Sequence, residues 1–137
     1  WTLMNVIGNS LSITLSDALT NVNFGTDLNP GSSAIPAVNN SQDAYNIICE
    51  YPPGNCNVSI KGNANWTSNV NTFLISNITW GKNTTFAAGS RMNFVYSIIN
   101  QSLPNLASQF IYFWLDIPSS QVAGTYQSNF TIFAQAN

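Results

Sequence analysis

A chain of 137 residues, 45% hydrophobic and 12% aromatic, has the length of one domain and enough apolar content to build a core rather than stay disordered. Only 6% of it is charged, against roughly 25% in ordinary soluble domains. With three basic residues, five acidic ones and no histidine, it has no basic patch to hold phosphates and no Ser/His/Asp or Cys/His nucleophile, which argues against nucleic-acid binding and against hydrolase chemistry.

The chain opens on residues 1–7 (WTLMNVI), where Trp1, Leu3, Met4, Val6 and Ile7 crowd around Asn5. Both faces of this stretch are apolar, whereas after Gly8-Asn9-Ser10 the segment LSITLS alternates and keeps one polar face. A two-faced apolar strand ahead of a flexible joint needs a place inside a sheet. It is either the long first strand of its own sandwich or a donor strand that completes the sheet of a neighbouring subunit. We divide the chain accordingly into residues 1–10, donor strand and linker, and residues 11–137, the folded domain.

Beyond LSITLS comes a turn-rich segment, residues 17–36, with Asn29-Pro30-Gly31 as its strongest reversal. Strands are then expected over 45–51, 57–62, 72–80, 91–99, 109–117 and 124–136, each rich in β-branched and aromatic residues and none with helical spacing. Eight or so such strands specify an all-β antiparallel β-sandwich, immunoglobulin-like or jelly-roll-like, with the N-terminal donor strand exposed. The run 109–117 (QFIYFWLDI) is apolar throughout, which predicts a central strand covered on both sides. In the last strand Tyr126, Ser128, Phe130, Ile132, Ala134 and Ala136 share one face, the expected core side.

Cys49 and Cys56 flank Glu50-Tyr51-Pro52-Pro53-Gly54-Asn55, and the Pro-Pro-Gly-Asn reversal predicts a hairpin with the cysteines opposed and disulfide-bonded. Two cysteines without histidine fall short of a zinc site, so no metal and no other cofactor is expected.

Asparagine, serine and threonine supply 48 residues and replace charge as the solubilising surface. Sequons fall at Asn39, Asn57, Asn65, Asn77, Asn83, Asn100 and Asn129, and N-linked glycans are expected on more than half of them. The carboxylates Asp17, Asp27, Asp43, Asp116 and Glu50 form no glycosidase motif, and no enzyme activity is expected. Lys61 and Lys82 lie in or beside strands, where an isopeptide bond is conceivable and a solvated lysine is the simpler reading. No apolar run reaches the 18 residues of a membrane helix, and no transmembrane segment is expected. A chain opening on Trp is read as a secreted protein after signal-peptide removal.

The run FWLDIPSSQVAGTYQSNFTIFAQA, with NFGTDLNPGSSA upstream and sequons throughout, resembles the secreted filament subunits of thermoacidophilic archaea called threads. The closing pattern of apolar strand, Pro, polar loop, Ala-Gly-Thr-Tyr and final strand is also similar to other secreted sandwich fibres. The resemblance implies a glycosylated, pilus-like extracellular filament built head-to-tail from identical subunits by donor-strand complementation, serving adhesion or biofilm. It implies Trp1, Leu3, Met4, Asn5, Val6 and Ile7 as donor, and an acceptor groove walled by Phe130, Ile132 and Ala134. Two alternatives stand beside it. One is a carbohydrate-binding or adhesive module using Trp66, Trp80 or tyrosines as sugar platforms; the other is a surface-layer or capsid-type jelly roll.

Overall fold

Short runs of β-branched and aromatic residues separated by Asn, Gly and Pro give short strands, and in the computed structural model, which describes residues 11–137, they make up 43% of the described residues. All helix among the described residues is single 3-10 turns, at Asp17–Asn21, Asn40–Gln42, Ile75–Asn77 and Phe86–Ala88. The strands are β1 (Ser12–Leu15), β2 (Ile35–Pro36), β3 (Asn46–Glu50), β4 (Asn55–Gly62), β5 (Trp66–Ser68) and β6 (Asn71–Phe73). They continue with β7 (Ile78–Gly81), β8 (Ser90–Arg91), β9 (Ser97–Pro104), β10 (Ser108–Phe110), β11 (Tyr112–Leu115) and β12 (Phe130–Ala136).

Every pairing is antiparallel. One layer has the order β1-β3-β10 and continues into β2-β11-β7-β8, because β10 and β11 are one strand interrupted at Ile111. The Ile111 N–H still donates to Tyr45 O at 2.9 Å, so the interruption costs no hydrogen bond there. The second layer has the order β12-β4-β9, and β5-β6 form a separate hairpin tied to the chain ahead of β12 through Thr67 and Gln127. This is the expected all-β sandwich.

The core lies between the layers. Ile47, Ile111 and Phe113 from the first meet Val58, Ile60 and Ile99 from the second, all fully buried. Phe113 stands edge-on to Tyr45 at 5.5 Å and reaches across to Phe130 at 5.6 Å, a direct contact between the layers. The central strand is the one expected: all four residues of β11 are buried, with β2 along one edge and β7 along the other.

Three details depart from the sequence reading. Cys49 and Cys56 are disulfide-bonded, with Cα atoms 5.9 Å apart, but β3 and β4 do not pair. The turn closed by Gly54 N–H to Tyr51 O carries the chain from one layer to the other, so the disulfide joins the two sheets rather than the two arms of a hairpin. The run 72–80 is broken by the 3-10 turn at Ile75–Asn77, and 91–99 is broken between β8 and β9. The last strand starts at Phe130 rather than at 124, after the isolated bridge at Gln127.

Candidate functional site

β12 pairs with β4 along its whole length, Phe130 opposite Gly62, Ile132 opposite Ile60, Ala134 opposite Val58 and Ala136 opposite Cys56. On the other side of β12 no strand pairs among the described residues. Asn129 O accepts from Asn63 and Asn137 N–H donates to Asn55, so the odd-numbered residues make the ladder with β4. In an antiparallel strand the alternate residues then point their N–H and C=O groups the other way. Phe130, Ile132, Ala134 and Ala136 therefore present at this edge backbone groups that are unpaired among the described residues.

The same residues face the core. Their partners Val58 and Ile60 are completely enclosed, while Phe130, Ile132 and Ala134 pack against the core and remain partly exposed. A side chain directed at the core but open on one flank is what a sheet shows where a strand is lacking. Natural edges are normally protected by Lys, Pro, bulges or a covering loop, and FTIFAQA has no charge and no proline. Beside Phe130 a small crevice of about 40 Å³ runs inward between Phe24, Trp66, Ile75, Met92 and Phe113. In the other layer β1 is also an edge, and Leu11, Ile13 and Leu15 pack on the core while staying partly exposed.

The structure thus places the three expected groove residues together on one open edge. Sequence reasoning missed the crevice, because Phe24, Trp66 and Met92 come from segments with no common pattern. The donor residues Trp1, Leu3, Met4, Asn5, Val6 and Ile7 lie outside the described residues.

The outer face of the same sheet carries a second feature. Phe133 and Ile98 flank Ser59 across the strands, Tyr96 packs on Phe133 at 5.4 Å, and Lys61 Nζ sits 4.8 Å from the Tyr96 ring centre. Phe133, Tyr96, Ile98, Phe94 and Val95 are all exposed. By contrast Trp80 is buried in the core between the layers, and Trp66 stacks on Phe73 at 5.5 Å, so neither offers the sugar platform considered from sequence. Lys61 lies against an aromatic ring and Lys82 is exposed; the ion pair found among the described residues is Arg91 with Asp116, at 2.6 Å.

Among the sequons, Asn39, Asn83 and Asn129 are exposed. Asn57, Asn65, Asn77 and Asn100 are half-buried, and the last three have engaged side chains: Asn77 donates to Asp116 O, Asn100 donates to Gln109, and Asn65 accepts from Ile75 N–H. Asn57 Oδ1 is enclosed without a partner among the described residues. Burial of Asp116 works toward a higher pKa, but the Ala34 N–H and the Arg91 guanidinium outweigh it and hold the carboxyl below its usual range. Among the described residues no three His, Cys, Asp or Glu side chains group as metal ligands, and no helix is long and apolar enough to cross a membrane.

The chain matches no protein-family model, and no curated protein or solved structure matches it at significant similarity.

Proposed function

We propose that the protein is a structural subunit of an extracellular filament, assembled head-to-tail by strand donation. The observation that supports this most is the edge of β12, where Phe130, Ile132 and Ala134 are turned to the core, open on one flank and free of any gatekeeping charge. Residues 1–7 are apolar on both faces, the character required of a strand that pairs at this edge while packing between layers. Donor and acceptor are different surfaces of the same chain, so the contact is heterologous and propagates into an open fibre. The disulfide between the sheets suits an oxidising, extracellular setting and would hold the acceptor open-edged but intact before the donor arrives. Glycans on exposed sequons would keep so uncharged a surface soluble and mask its other edges.

The test is electron microscopy of the secreted protein beside the same chain lacking residues 1–9. Fibres only when the segment is present support strand donation; monodisperse particles in both preparations refute it. An adhesive module is the second reading, favoured by the exposed Tyr96, Phe133 and Ile98 surface. It gains ground if the protein stays monomeric and Tyr96→Ala abolishes attachment to cells.

A further inference from the structure

A cleft of about 410 Å³ opens on the outer side of the first layer, away from the β12 edge, within the range of small-ligand sites. Its walls include Pro36, Ala37 and Trp114, which are apolar, and Asn40, Ser41 and Thr84, which are polar. Trp114 is on this side because its neighbours Phe113 and Leu115 face the core; Phe86 packs edge-on against its indole at 5.8 Å. An apolar floor with a rim of amide and hydroxyl groups matches a pyranose, which has an apolar C–H face and polar hydroxyls around it.

Asn39 itself lines the cleft. Its backbone is left-handed, with φ 65°, and its exposed side chain makes no hydrogen bond among the described residues. The turn that carries it is rigid. Asn40 is buried and accepts from Phe113 N–H at 3.0 Å, Asn40 N–H donates to Ala37 O at 3.0 Å, and Tyr45 Oη donates to Val38 O. The attachment point is thus fixed against the cleft wall. Asn83 is placed differently: its Oδ1 accepts from Thr85 N–H, and only Thr84 of that sequon reaches the cleft.

We propose that the cleft is a cradle for the N-linked glycan of Asn39, whose first sugars lie over the exposed Pro36 and Val38 and are hydrogen-bonded by Ser41, Asn40 and Thr84. Attachment forms a bond from Asn39 Nδ2 to the anomeric carbon of a glycosyl diphosphate donor. The anomeric C–O bond breaks, the diphosphate leaves with its electrons, and Nδ2 loses one proton. Seated there, the glycan covers β2, the two-residue edge strand of the first layer, and closes it to other chains. The proposal rests on the glycosylation part of the reading above and is independent of filament assembly.

The experiment uses the protein as its own cells secrete it, with peptide mass spectrometry for site occupancy and hydroxyl-radical labelling of Pro36 and Val38. Ser41→Ala removes the sequon while keeping Asn39 in its left-handed turn; Ser41→Thr keeps the sequon, and Thr85→Ala removes only that of Asn83. The expected result is an occupied Asn39 and labelling that at least doubles in Ser41→Ala, with no change in Ser41→Thr or Thr85→Ala. Unchanged labelling in Ser41→Ala, a rise confined to Thr85→Ala, or a bare Asn39 beside an occupied Asn83 or Asn129 overturns the cradle alone. Bare asparagines at every sequon overturn the cradle and the glycosylation reading together.

Discussion

Ile132 is the residue whose replacement most directly tests the open edge. It lies at the middle of β12 opposite Ile60, with its side chain against the core and one flank uncovered. Truncating a fully enclosed isoleucine to alanine costs about 2–5 kcal/mol. In a chain lacking residues 1–9, Ile132→Ala should cost roughly half of that, because part of the side chain is already in water. If a donor strand closes the flank, the rest of the penalty, about 1–2 kcal/mol, appears only when the strand is bound, a loss of roughly 5- to 30-fold in strand affinity. Urea denaturation of the truncated chain with and without a WTLMNVI peptide reads both quantities. Ile60→Ala is the control, since Ile60 is enclosed from the start and its penalty should be equal in both conditions. Equal penalties for Ile132→Ala with and without peptide, or no stabilisation of the parent by the peptide, would refute the groove.

Three further outcomes are expected. Replacing Cys49 and Cys56 by alanine removes the covalent link between the two sheets and should cost about 2–3 kcal/mol for so short a loop, lowering the calorimetric Tm by on the order of 10 °C. The Asp116 carboxyl has a folded pKa below its unfolded value near 3.9, so its contribution is present above that value and is lost as pH falls through the lower, folded pKa. With five acidic residues in all, stability measured by urea midpoint should be nearly flat from neutrality to about pH 4, and Asp116→Asn should shrink the decline below it. Gly89→Ala would put a Cβ 2.4 Å from Thr79 Cγ2 and 3.0 Å from Trp80 O; we expect a loss of about 1–3 kcal/mol, partly recovered by Thr79→Ser in a double-mutant cycle.

Local chemistry made much of this molecule legible in one dimension. Alternation in FTIFAQA already separated Phe130, Ile132 and Ala134 from Thr131, Phe133 and Gln135, because strand geometry gives successive side chains opposite faces whatever they pack against. The unbroken apolar run around Phe113 announced a central strand for the same reason, and an even cysteine pair announced the disulfide. What a period of two cannot say is which strand stands beside which. The tight Tyr51–Gly54 reversal suits a hairpin and a change of layer equally well; only the pairing of β3 with β1 and β10, and of β4 with β12 and β9, made the disulfide a bridge between sheets.

The same limit hid both sites' walls. Phe24, Trp66 and Met92 meet beside Phe130, and Asn39 meets Thr84 and Trp114, although each set is scattered along the chain. Trp80 and Trp114 read alike in sequence, each beside other strand-forming residues, and both are buried, yet Trp80 packs into the core and Trp114 on the outer side of its sheet, against Phe86. Sequence by itself determined the class of fold, the strand faces and the partners for covalent chemistry, since these depend on neighbours along the chain. The free edge of β12, the sheet-to-sheet disulfide and the cleft beside Asn39 were decided by tertiary structure, because burial and hydrogen-bond satisfaction belong to neighbours in space.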